Sequence, residues 1–161
     1  MGKLLASVAM FLFVLQCAFA SPDSFGGIRI LKDYSVKRTS AVDAAAWTIE
    51  KKGGLKITFE AGANEGSWAD PKERDKYSWY EEQKVNGFNV RFALIKPELK
   101  TVWEPNDSRG LPLGNVLLVS FLLEGQESSH TANFSAKLAN PQELGDALLM
   151  IMTFDPSKGT F

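Results

Sequence analysis

Val116-Leu-Leu-Val-Ser-Phe-Leu-Leu123 is the stretch from which the fold of this chain is read. All of it but Ser120 is apolar. A membrane helix needs about 20 such residues, so this run suits a strand buried on both faces. Working outward from it, residues 131–138 alternate, with Ala132, Phe134, Ala136 and Leu138 set for one side. The connection 124–130 is polar, so these two strands are expected to be antiparallel neighbours. Upstream, Asn86-Gly87 is a strong hairpin signal, because both residues tolerate the positive φ of a type I′ turn. Tyr77–Val85 leads into it and Phe88–Ile95 leads out, with Phe88, Val90, Phe92 and Leu94 on one face. Leu55, Ile57 and Phe59 alternate with Lys56, Thr58 and Glu60. Trp47 and Ile49 repeat the pattern, and Lys51-Lys52-Gly53-Gly54 supplies the turn between them.

The last element reads as a helix. Asn140 can accept from the first free amides, Pro141 suits the first helical position, and Glu143 favours the positive end of the dipole. Leu144, Ala147, Leu148, Ile151 and Met152 gather on one side, with Gln142, Asp146 and Thr153 opposite. Pro156 and Gly159 end it. The competing reading is a buried strand over 148–154. Residues 41–46 are expected to form a second short helix. The fold class that follows is α+β: an antiparallel sheet of five to seven strands with the C-terminal helix packed on one face. An all-β sandwich is the runner-up, and it wins if the C-terminal segment is a strand.

The N-terminus reads as an address. Lys3 precedes an apolar run from Leu4 to Leu15, and the stretch closes on Ala18-Phe19-Ala20. A basic start, a short apolar middle and a small-x-small end make a secretory signal peptide. Cleavage is expected after Ala20, with residues 21–161 forming a single β-rich domain. Acylation at Cys17 is the weaker reading, since Gln16 stands where a lipobox wants a small residue. Cys17 is the only cysteine of the 161 residues. The exported chain would therefore carry no disulfide and rely on its core, which favours a bacterial envelope or periplasm. Lys3 is the only charged residue before Ser21, so the remainder carries 17 basic against 19 acidic residues. That balance argues against a nucleic-acid or anionic-membrane surface.

Most catalytic sets fail on residue supply. After residue 20 there is no cysteine, and His130 is the only histidine, so neither a zinc ribbon nor a two-histidine metal motif can be assembled. Gly110-Leu-Pro-Leu-Gly114 is followed by Asn115 and is not a Walker A loop. His130 follows Ser128 and Ser129, but neighbours on an extended chain point apart, so a solvated histidine at a strand start is preferred to a catalytic base. Residues 61–76 read as a long loop holding Glu65, Asp70, Glu73 and Asp75. Calcium is disfavoured there, because Lys72, Arg74 and Lys76 interleave the acids. Glu81 and Glu82 are adjacent, which makes a poor acid–base pair on a strand. Asn106-Asp107-Ser108 and Asn133-Phe134-Ser135 fit the glycosylation sequon.

The residues best suited to contact a ligand or partner are Trp68, Tyr77, Trp79 and Arg109. Aromatics beside a loop can stack on a ring or anchor a protein partner. An arginine on the constrained 105–115 loop can meet a carboxylate or phosphate. Alternation would place Tyr77 and Trp79 on one face of their strand and Tyr80 on the other. The leading function is a secreted or periplasmic, non-catalytic binding module for an unidentified protein or small ligand, without cofactor or metal. The alternatives are a small hydrolase built on carboxylates and a structural envelope protein.

Overall fold

A computed structural model describes residues 24–39, 45–62, 66–99, 115–123 and 130–158. Residues 1–20, expected to be a signal peptide, with Cys17, the 105–114 loop with Arg109, the first sequon and residues 124–129 lie outside that set.

Strands arise where the alternation and turn residues put them. The Lys51–Gly54 turn closes through Gly54 N–H donating to Lys51 O at 2.9 Å, with Gly53 at φ 68°. It joins β4 (Ala45–Lys51) to β5 (Lys56–Gly62). Asn86 and Gly87, at φ 52° and 89°, join β6 (Tyr77–Val85) to β7 (Phe88–Ile95). β8 (Val116–Leu123) pairs with β9 (His130–Lys137), Leu123 facing His130. With β3 (Tyr34–Thr39) at one margin, the described residues form a seven-stranded antiparallel sheet in the order β3-β4-β5-β9-β8-β7-β6. A short ribbon of β1 (Ser24–Phe25) and β2 (Ile28–Arg29) stands apart from it. Gly27 is required in that ribbon: at φ 79°, a Cβ would fall 2.2 Å from Asp155 O.

The helix α1 (Pro141–Ile151) lies on one sheet face and closes the main core. Asn140 Oδ1 accepts from Glu143 N–H at 3.0 Å, and Glu143 Oε2 accepts from Ala139 N–H at 2.8 Å. The first bond satisfies an amide that the opening turn leaves without a helical acceptor, and the second ties Glu143 back to the residue before the cap. Tyr34 Oη donates to Asp146 at 2.8 Å and ties the helix to the β3 margin. Beyond the helix, Phe154 enters the sheet centre, with ring centroids 5.5, 4.9 and 5.2 Å from Phe59, Phe121 and Phe134. Edge-to-face packing of this kind adds about 0.5–1.5 kcal/mol per pair beyond burial.

The expected C-terminal helix is present and runs through Ile151, so the rival strand over 148–154 and the sandwich alternative both fall away. Three expectations are corrected. Ala45 and Ala46 begin β4 instead of ending a helix, because they pair with Ala61 and Glu60. Residues 61–62 belong to β5, not to the long loop. Met152 is 44% exposed, while Met150 is fully buried. The buried stripe is centred on Ala147, Met150, Ile151 and Phe154, so a residue four after half-buried Leu148 falls on its flank.

The opposite sheet face holds a second, smaller cluster: Trp68, Ala69, Tyr77, Ala93, Ile95, Val116 and Leu118. The segment 66–70 crosses this face, and buried polar side chains hold it there. Asn133 Oδ1 accepts from Trp68 N–H at 3.2 Å, and Ser120 Oγ accepts from Ala69 N–H at 3.1 Å. Asn133 Nδ2 donates to Gly66 O at 3.1 Å. With its carboxamide engaged at both ends and fully buried, Asn133 offers no glycosylation site in the folded protein.

Candidate binding surface on the outer strand

Strand β6 is nine residues long and has β7 on one side; no other described strand flanks it. Its pairing with β7 is irregular at the start. Tyr77 faces Ile95 and Trp79 faces Leu94, so Ser78 is an extra residue. This bulge overturns the simple alternation. Tyr77 and Tyr80 share the face of the smaller cluster, their rings parallel within 7° and 5.8 Å apart. Trp79 takes the other face, 6.2 Å from the ring of Phe92, and is 41% exposed.

The four residues expected to form one contact surface therefore have different fates. Trp68 and Tyr77 are 8% and 7% exposed and belong to the smaller cluster. Tyr77 Oη accepts from Asp70 N–H at 3.1 Å. Trp79 is open on the far side of the sheet, and Arg109 is not among the described residues. Of the four, only Trp79 is exposed among the described residues, so they form no single aromatic patch.

Tyr80 is the centre of a charged group that sequence reading passed over. The 3₁₀ turn Pro71–Lys76 places the Arg74 guanidinium 4.4 Å from the Tyr80 ring centroid. Its start is set by Asp70, whose carboxylate accepts from Lys72 N–H at 2.9 Å. Tyr80 Oη donates to Glu82 Oε1 at 2.5 Å. Arg74 Nη2 and Arg91 Nε approach that same oxygen at 3.9 and 3.8 Å. Desolvation, then the bond to Glu82, pushes the Tyr80 phenol up to about 12. Burial does the same for Tyr77, also to about 12. Both phenols thus remain donors through neutral pH.

One signal for this group was present in the sequence. A two-residue turn at Asn86-Gly87 fixes the register, so residue 82 must face residue 91. Arg74 could not be found that way, because a turn distant from that register delivers it. Beside the pair lies a concavity of about 230 Å³ lined by Glu82, Lys84, Asn89, Arg91 and Leu122, among others. Glu81 faces Phe92 across the strands, and so takes the sheet face opposite Glu82.

Among the described residues, no three or more His, Cys, Asp or Glu side chains gather as metal ligands. No helix among them is long and apolar enough to cross a membrane. Comparison with protein-family models, curated proteins and solved structures finds no match for this chain.

Proposed function

We propose that this chain is an exported, non-catalytic binding module that holds a protein partner along the outer strand β6. The observation that carries the reading is Trp79. It is a large aromatic, 41% exposed, on a nine-residue strand with no outer neighbour among the described residues. Aromatic anchors of this kind dominate many protein interfaces, and a strand edge offers backbone groups for a partner to pair with. The N-terminal address supports an envelope or extracellular setting, with Ser21 as the first residue of the exported chain.

The test uses the purified protein as bait in envelope extract. Retention of one specific protein is expected, and Trp79→Ala should abolish it while shifting stability by only about 1 kcal/mol. Trp68→Ala cannot serve as the probe, since emptying a buried tryptophan site costs about 3–5 kcal/mol. Retention unchanged in Trp79→Ala rejects the anchor. An intact Met1 terminus on soluble cytosolic protein rejects the export.

A further inference from the structure

We infer that the β6–β7 hairpin carries, on the face opposite Trp79, a site for one compact oxyanion, a carboxylate or phosphate group, seated beside Arg91 and Lys84. The argument begins with charge. Arg74, Lys84 and Arg91 stand around one carboxylate, Glu82, on a chain whose net charge is −1. Locally, cations outnumber the anion. Lys84 makes no ion pair among the described residues. The Arg91 ion pair with Glu82, at 3.8 Å, is too long for a hydrogen bond. Its Nε is buried and donates to nothing in the described structure.

Guanidinium carries five N–H donors in a fork that matches carboxylate and phosphate. Here its Nε–H has no acceptor among the described residues. Glu82 is meanwhile held from elsewhere, by the Tyr80 hydroxyl at 2.5 Å and by Arg74 at 3.9 Å. An incoming oxyanion can therefore take Arg91 without leaving Glu82 uncompensated. The concavity beside Arg91 measures about 230 Å³, with Lys84 and Asn89 among its walls. Pockets for drug-sized ligands run to about 300–1,000 Å³, so this one suits a single small anionic group. It lies across the sheet from Trp79 and stands or falls apart from the partner surface proposed above.

The test reads the Arg91 Nε–Hε resonance of the purified protein while inorganic phosphate, acetate or chloride is added at matched ionic strength. Saturable movement is expected with phosphate, acetate or both, and not with chloride. Glu82→Gln removes the competing carboxylate and should lower the midpoint about threefold, while Lys84→Gln raises it about threefold. Both side chains are exposed, so both variants keep the fold. Trp79→Ala should leave the midpoint unchanged. Saturation by phosphate alone assigns a phosphate ester, and saturation by acetate assigns a carboxylate. A chloride response equal to the others, no saturation by either oxyanion, or a midpoint indifferent to both Glu82→Gln and Lys84→Gln overturns the site.

Discussion

Ser120 and Asn133 stand directly opposite each other on β8 and β9, both fully buried, with Ser120 Oγ donating to Asn133 Oδ1 at 2.6 Å. That pair is the fastening of the segment 66–70. Asn133 also reaches Thr131 Oγ1 at 3.0 Å, so each polar atom in the group has a partner. A network satisfied in this way is costly to break from one side, since each stranded buried group costs about 1–3 kcal/mol.

Asn133→Ala is therefore expected to destabilise the protein by about 3 kcal/mol in urea unfolding. Ser120→Ala alone should cost less, and the double variant should fall short of the sum by about 1 kcal/mol. Additive losses would mean that the two side chains act independently. Trp68 fluorescence should shift to the red in Asn133→Ala, because its backbone anchor is gone.

Two kinds of pattern made the fold legible. Apolar patterning placed β5, β7 and β9 by alternation and β8 by its unbroken run, and turn chemistry at Gly53 and Asn86-Gly87 placed the hairpins between strands. The β6 and β7 bounds follow directly from that turn and the alternation around it. Strand β3 was missed, because Tyr34–Thr39 is a short, mostly exposed margin strand with little apolar signal. The candidate surface was misread for two reasons. The bulge at Ser78 cannot be seen in composition, and it puts Tyr77 and Trp79 on opposite faces. The burial of Trp68 depends on Asn133, which reads as solvent-facing on an alternating strand, and on Ser120, the one polar residue in the apolar run. They are buried because a distant segment needs their hydrogen bonds.

The two stacked tyrosines make stability fall at high pH. Tyr77 and Tyr80 hold their protons to about 12 in the folded protein, against an ordinary 10.0, chiefly because burial disfavours the phenolate. Between those values the unfolded chain has lost protons that the folded chain keeps, so stability declines as pH rises. The contribution is complete below pH 10 and is gone above about 12. Tyr77 is the buried member and accounts for about 2–3 kcal/mol of this decline. Urea midpoints measured from pH 9 to 12 should fall, and Tyr77→Phe should flatten the slope. Absorbance at the phenolate band should show at least two tyrosines ionising well above the ordinary range until the protein unfolds. A normal titration with native circular dichroism would contradict the burial of Tyr77.

Asn86 serves two structures at once, and its substitutions should separate them. Its backbone, at φ 52°, forms the β6–β7 turn. Its side chain Nδ2 donates to Phe154 O at 2.8 Å and to Met152 O at 3.2 Å, just past the end of α1. The hairpin tip thus supplies donors to carbonyls that the helix end leaves open. Asn86→Gly keeps the positive φ and loses only the tie, so a loss of about 1 kcal/mol is expected. Asn86→Asp also tolerates the turn, but it replaces a donor by an anion beside carbonyl oxygens at the negative end of the helix dipole. It should cost more than Asn86→Gly, about 2 kcal/mol at neutral pH, and acid should recover part of the difference as the new carboxylate is protonated. Amide exchange around residues 152–154 is the direct readout, since faster exchange there in both variants, with the β6–β7 amides still protected, marks loss of the tie. Equal stability of the two variants at all pH values would show that the side chain contributes nothing to the helix end.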